Sequence, residues 1–421
     1  NRFLFGQPQA LVRTSCMKLK TVLFSLLFGF QLFVFCEKNK SIAYPDQFPT
    51  LKHAKFMGGE ITMIDHVNRM GILRPDRSDE HNKYHWDLPH HFEMLPYGLI
   101  YRHGAPAIIR DIDLGTHMHG IFFLGKQGMY KVPLLETQYF QQIRNQPNQY
   151  SPDSPYSQAF RLEDDFSFYL RQKTTWQITH IDHEEGKLTC KRKHYGKEKP
   201  KGLTGTQVFD FDSSLKVWKG TNLLSKDVLK ENQEVLFNLT WCTLFGPGRI
   251  TEIWTDEESR KRATERQYYK YLEHLKKRGF PAQVIEVNHL EKGSGQITIV
   301  PYQGYEKLDQ ETFSENTTGL LAVSESNLRT WDQGNDKKPW RIEKISTITD
   351  PPSGHSGYEI KAHMNELLEG IRPGRIVRIF PKAWNVSDIP REERMHMFDL
   401  RPRFLEANPS NIPNPIPPFP K

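Results

Sequence analysis

Cysteine is scarce in this chain: four residues in 421, and two of them, Cys16 and Cys36, flank or end its first apolar stretch. A dense disulfide framework, the device by which small exported domains replace a core, is therefore excluded. Cys190 and Cys242 are left for a single bridge in the body of the chain. The alternative is a pair of buried thiols on neighbouring strands. Long apolar runs are as scarce. Thr21 to Phe35 is almost wholly apolar, yet shorter than the ~20 residues of a spanning helix. No other stretch approaches that length, and mean hydropathy is -0.64. No transmembrane span is expected in the mature chain. The sequence also lacks a Walker loop, a dinucleotide-binding fingerprint, His-Glu-x-x-His and Cys-x-x-Cys, so the motif-borne nucleotide, zinc-protease and thiol-redox chemistries have no support. Gly354-His355-Ser356-Gly357-Tyr358 sets its second glycine one position too early for a nucleophile elbow. Carboxylates are plentiful, but nothing pairs two of them in space. No residue set names a reaction, and the reading leans away from an enzyme.

What is present begins with an export signal. Met17-Lys18-Leu19-Lys20 is a short basic segment ahead of the apolar run, and Ser41-Ile42-Ala43 offers small residues where a signal peptidase reads. The expectation is an upstream extension over 1–16, a signal peptide over 17–43 and a mature chain starting near Tyr44. Val34-Phe35-Cys36 is a second cleavage position. The location that follows is secreted, periplasmic or in the cell envelope. Net charge is +7, and it concentrates in two places. Lys187 to Lys201 holds seven Lys or Arg against Glu198, and the Arg260 to Arg278 stretch is also basic. An anionic envelope polymer fits such a surface; a solvated hairpin loop and helix face is the simpler explanation.

The body reads as mainly β with one long helix. The 44–160 region is irregular and strand-rich, with a polar, loop-like start as far as His91 and strands at 97–101, 107–112 and 116–124. Period-two alternation marks a block over 161–254, in Trp176–Ile181, Lys187–Lys191, Val208–Phe211, Leu215–Trp218 and Glu234–Trp241. A linking helix occupies 255–280: Thr255 caps it, Glu258 completes a capping box, and Gly279 and Pro281 end it. A second β-rich unit covers 281–400. Its Ala282–Asn288, Gly295–Thr298, Ser326–Trp331 and Leu368–Val377 echo segments of the first block. Two tandem small antiparallel barrels, OB-like or SH3-like, account for the echo. The 401–421 tail is Pro-rich and extended.

The sharpest local feature is Gly115-Thr116-His117-Met118-His119-Gly120. Residues two apart on a strand share a face, so His117 and His119 are placed to hold one ion, zinc or copper, with His103 or an upstream histidine (His81, His85, His90 or His91) as third ligand; the non-metal alternative is that both rings are simply hydrogen-bonded beside Ile121 and Phe123. The hexapeptide is similar to the His-Trp-His-Gly of multicopper oxidases, but their His-Cys-His element is absent. His103-Gly104-Ala105-Pro106, Gly115 to Gly120 and Phe237 to Trp241 together loosely resemble predicted secreted proteins of planctomycete-type bacteria. That resemblance implies export and a β-rich fold, and no activity. Three functions are in view. One is an exported, non-catalytic binding or structural protein of the cell envelope. Another is a metal-binding protein or metalloenzyme built on His117 and His119. The third is a single-stranded nucleic-acid binder, with Trp176, Trp218 and Trp241 beside the basic loop of an OB-like barrel.

Overall fold

The computed structural model describes residues 42–76, 90–125, 156–240, 248–304, 313–331, 337–367, 370–382, 384 and 394–395. The expected signal segment as far as Ser41, most of the Gln- and Pro-rich 138–159 stretch, Trp241, Cys242 and the Pro-rich tail lie outside the described residues.

The chain is mainly β with one long helix, and its strands close into barrels. Barrel 1 uses β1 (Lys55–Asp65), β2 (Met70–Pro75), β3 (His90–Arg102), β4 (Ala105–Ala107), β5 (His117–Phe123) and β6 (Gln158–Asp164). Five of these form a ring, β1-β2-β3-β6-β5 and back to β1, with β4 appended to β3 as a hairpin. All ring pairs are antiparallel except β3 with β6. A short helix, α1 (Asp165–Arg171), follows. Barrel 2 repeats the plan with β7 (Thr174–Asp182), β8 (Lys187–His194), β9 (Thr206–Lys219), β10 (Asn222–Leu224), β11 (Glu234–Thr240) and β12 (Arg249–Trp254). Its ring is β7-β8-β9-β12-β11, its one parallel pair is β9 with β12, and β10 is the appended hairpin strand. Both barrels have the five-stranded OB-like form. The repeat even extends to a 3-10 turn after each hairpin, Ile109–Asp111 and Lys226–Val228, and to a helix after each ring.

The described part of the polar 44–91 segment, 44–76 and 90–91, is thus not simply surface loop, while 77–89 lies outside the described residues. The described part supplies β1 and β2, which close barrel 1. Gly59 permits the approach, because a Cβ there would stand 2.3 Å from the Arg74 carbonyl oxygen. The 107–112 segment is the β4 end and the 3-10 turn in place of a strand.

The long helix, α2 (Glu257–Arg278), has 22 residues and leads into barrel 3. This ring consists of β13 (Phe280–His289), β14 (Gly295–Pro301), β15 (Thr318–Val323), β17 (Lys337–Thr347), β18 (Tyr358–Met364) and β19 (Ile376–Pro381). Its order is β13-β14-β18-β17-β15-β19, and every pair is antiparallel. Outside it, β16 (Thr330–Trp331) pairs with β20 (Arg394–Met395). Barrel 3 therefore does not repeat barrel 2. The echoed Ala282–Asn288 and Gly295–Thr298 lie in an opening hairpin like β7–β8, but Ser326–Trp331 is a turn and a short strand outside the ring. The duplicated topology joins barrels 1 and 2.

Packing follows from the alternation. Thr174, Trp176 and Ile178 of β7 face inward and Thr175 and Gln177 less so. Trp176 meets Phe209 at 5.4 Å and Phe209 meets Phe237 at 4.7 Å, between ring centroids, at the centre of barrel 2. Strand β3 is buried along nearly its whole length, so both of its faces are covered. Its Leu95 and Tyr97 share one core with Ile297, Ile299 and Ile379 of barrel 3.

The helix N-cap is Asp256, one residue after the expected Thr255. Its carboxylate accepts from the Ser259 backbone N–H at 2.7 Å. The Thr255 hydroxyl instead donates to the Trp218 carbonyl at 2.9 Å. Asp256→Ala should lower stability by about 1 kcal/mol, read as a lower urea midpoint with unchanged slope; no shift would contradict the cap assignment.

Candidate metal centre

The site is built where β6 turns into α1. Asp164 caps that helix: its Oδ1 accepts from Ser167 N at 2.9 Å. Its Oδ2 accepts from His103 N and from Asn238 Nδ2, both at 3.0 Å. Asn238, on β11, in turn accepts at its Oδ1 from Phe166 N–H at 2.9 Å. Asp164 and Asn238 thereby tie α1 to both OB-like barrels at once.

The next residue, Asp165, is 0% exposed. Its Oδ2 accepts from Leu239 N of β11 at 2.9 Å. Its Oδ1 faces the two histidines of β5, which share one face of that strand as the spacing predicts. His117 Nδ1 lies 2.8 Å and His119 Nε2 2.9 Å from that oxygen. Both imidazoles are buried. Their rings are nearly perpendicular, with centroids 4.7 Å apart. His119 is stacked on Phe168 at 3.7 Å, and Phe56 lies parallel to it at 5.9 Å. His117 turns its Nε2 to Asp76 Oδ2 at 3.0 Å.

Electrostatics follow from this geometry. Burial pushes the Asp165 carboxyl up, but the charge of His117 and the hydrogen bonds from both histidines outweigh it and hold the group well below the usual carboxylate range. Asp165 is therefore an anion in the interior, tolerable only because it is so fully partnered. Burial lowers His119 below an ordinary histidine, against the pull of the Asp165 hydrogen bond. His119 is therefore neutral at pH 7, and its contact with Asp165 assigns the proton to Nε2.

The donor atoms of His117, His119 and Asp165 all lie within 4.8 Å of one another. A four-coordinate ion about 2.0–2.2 Å from each would spread them to about 3.3 Å. The two hydrogen-bond distances need to open by only a few tenths of an ångström, with the His117 Nδ1 proton released and the single His119 proton moved from Nε2 to Nδ1, which leaves each imidazole neutral. The surroundings match a metal site too. A ligating imidazole characteristically gives its other N–H to a carboxylate, and a ligating carboxylate is itself hydrogen-bonded. Asp76 on His117 and Leu239 N–H on Asp165 fill those roles.

His103, the expected third ligand, is not in this group. It occupies the β3–β4 turn at φ 51, with Gly104 at φ 80. Its Nε2 is 3.3 Å from Glu252 Oε2 and 3.9 Å from Asp164 Oδ2, and its ring lies 4.7 Å from that of Trp254. It belongs to a neighbouring polar network in which burial raises the Glu252 carboxyl but the His103 hydrogen bond and charge prevail, leaving it at about 2. Asp165 takes the third place. Sequence reasoning missed it because Glu163-Asp164-Asp165 carries no spacing relation to the histidines; the β5–β6 pairing makes the contact.

The remaining candidates fall elsewhere. Cys190 is a free, buried thiol on β8, pushed up to about 12 by burial, while its suggested partner Cys242 is outside the described residues. Trp176 is 0% exposed, so it is core and cannot stack a base. Trp218 instead lies under the Arg266 guanidinium at 5.2 Å. Among the described residues no helix is long and apolar enough to cross a membrane. No protein-family model matches the chain, and neither a curated protein nor a solved structure matches it.

Proposed function

We propose that the protein is an exported binding or structural protein of the cell envelope whose two OB-like barrels are clamped by a divalent metal centre. The ligands are His117 Nδ1, His119 Nε2 and Asp165 Oδ1, and two imidazoles with one carboxylate suit zinc or copper. One observation carries this reading: three donor atoms of the right kinds converge in the interior, each ligand but His119 having an outer partner of the kind metal sites use. Asp165 leads α1 and bonds to β11 of barrel 2, while the histidines belong to barrel 1, so an ion here joins the two barrels. The full chain, incubated with zinc or copper and dialysed, should retain one equivalent by elemental analysis. The double change His117→Ala, His119→Ala should retain none. A wild type that stays metal-free after both incubations overturns the reading.

Export rests on Met17 to Ala43. Ala43 is buried in one core cluster with Leu95 and Tyr97, Ile42 bridges Leu124, and the Tyr97 hydroxyl donates to the Tyr44 carbonyl at 2.9 Å. Cleavage after Ala43 would cut the chain at this packed segment, whereas cleavage after Cys36 leaves it whole. The mature protein is therefore expected to start at Glu37, and N-terminal sequencing decides: a start at Tyr44 favours the later position, and an intact Met17 ends the export reading.

A further inference from the structure

Strand β8 changes character along its length. Leu188 and Cys190 on its inner face are buried, and the same face continues with the half-buried Arg192 and His194. The pairing with β7 agrees: Cys190 stands opposite Ile178, Arg192 opposite Trp176 and His194 opposite Thr174. All three β7 residues are buried in barrel 2, and directly opposed side chains project from the same side of a sheet. The inner face of β8 thus ends in a guanidinium and an imidazole.

A loop, 195–205, crosses this end of the barrel. The Tyr195 N–H donates to the Lys173 carbonyl at 2.9 Å and the Lys201 N–H to Gln172 Oε1 at 2.6 Å, which fastens the loop beside the end of α1. Arg192 Nη1 donates to the Leu203 carbonyl of the loop, and the guanidinium lies over the Tyr169 ring at 5.2 Å. One edge of the guanidinium is thereby fixed. The other edge, Nε and Nη2, is shielded from solvent and has no hydrogen-bond partner among the described residues. The same holds for His194 Nε2 and for the indole N–H of Trp176, which is 0% exposed. His194 Nδ1 lies 3.2 Å from the Thr174 hydroxyl, and a hydroxyl that donates there leaves the imidazole proton on Nε2.

Buried donors are seldom left unpaired, and a charged one is the costliest to leave so. Nor is the charge of Arg192 answered. Burial pushes the guanidinium down, and the group that opposes this is the Tyr169 phenol, with no carboxylate beside it. The loop adds Lys197, Lys199 and Lys201, none of which makes an ion pair among the described residues. Its one acid, Glu198, acts on Arg171 instead. Side by side, Nε and Nη2 form the two-pronged edge that matches two oxygens of a carboxylate or a phosphate.

We propose that Arg192 Nε and Nη2, with His194 Nε2 from the same strand face, bind one oxyanion group, a phosphate or a carboxylate, beneath the 195–205 loop. The loop lysines draw the anion in. The approach runs past Gly205, where an added Cβ would meet nothing within 4 Å. The full chain is first treated with chelator and dialysed, which keeps the outcome separate from the metal reading. It is then titrated calorimetrically at low salt with inorganic phosphate, with acetate and, as control, with chloride. Saturable one-to-one binding of an oxyanion is expected, with chloride at least tenfold weaker because it cannot span both prongs. Tighter binding of phosphate identifies a phosphate group, and tighter binding of acetate a carboxylate. Arg192→Lys keeps the charge, loses the two-pronged edge and should weaken binding at least tenfold. The exposed pair Lys199→Gln, Lys201→Gln should weaken it severalfold at unchanged melting temperature of the ligand-free protein, and this pair decides should the arginine variant fail to fold. Absence of saturable binding, chloride binding as tightly as the oxyanions, or variants that bind like wild type would each overturn the proposal.

Discussion

Replacing Asp165 with alanine should lower stability by about 3–5 kcal/mol in the metal-free protein, the range found when one partner of a buried charged cluster is removed. The carboxylate is fully buried and accepts from His117, His119 and the Leu239 backbone N–H. Its loss strands those donors in an interior that water does not reach, and each stranded donor costs about 1–3 kcal/mol. It also uncouples α1 from β11 on one side, leaving Asp164 and Asn238 to hold the junction. Asp165→Asn keeps the volume and an accepting oxygen, and should fall between wild type and alanine. Urea unfolding in the presence of chelator measures this, with the slope checked for constancy. A loss of under about 1 kcal/mol for the alanine variant would mean that the cluster is less buried or less coupled than its geometry states.

Acid should destabilise the protein in two stages. The first belongs to histidines. His90 is held at about 4 against an ordinary 6.5, chiefly by burial, with Lys55 and His91 adding to it and its bond to the Tyr156 carbonyl opposing it. Its folded pKa lies below the unfolded one, so the unfolded chain binds the proton first. The stability it contributes is complete above pH 6.5 and is lost progressively as pH falls to about 4. That shift corresponds to about 3 kcal/mol. His119 is lowered in the same direction and adds to the loss. The second stage belongs to carboxylates. Asp165 and Glu252 are both depressed below their ordinary values, so their contribution is present above the unfolded carboxylate pKa and disappears as pH falls through their folded values. Urea unfolding at pH 7.5, 5.5 and 4 should therefore show a steep decline beginning near 6.5, and His90→Gln should flatten it. Stability constant between pH 7.5 and 4 would contradict the burial of His90.

How much of this was legible in the sequence depends on how far apart the cooperating residues lie. His117 and His119 share a face because period two is a local property of a strand, and the long helix announces itself through its cap and Gly279. Even there the cap moved by one residue. Thr255 and Asp256 are both capping types, and only the fold shows that the Thr255 hydroxyl is taken by Trp218. Strand β9 reads as two strands because Asp212-Ser213-Ser214 resembles a turn. It is one strand, in which the Asp212 side chain accepts from Ser214 N at 3.0 Å and the pairing with β12 shifts register. Barrel 1 was hidden because β1 and β2 are rich in glycine and charge, and their strand character comes from closing a ring. The parallel pairs β3–β6 and β9–β12 join distant segments, and no local pattern reveals them. Asp165 was illegible for the same reason.

The central claim is that His117, His119 and Asp165 hold one divalent ion. X-ray absorption fine structure of the zinc- or copper-loaded full chain tests it most directly, because it reads the ligand atoms themselves. The account predicts one ion with two imidazole nitrogens at about 2.0–2.1 Å and oxygen in the remaining positions, a pattern lost in His117→Ala, His119→Ala and reduced in oxygen ligation in Asp165→Asn. A spectrum without imidazole, or one unchanged by the double substitution, would contradict it.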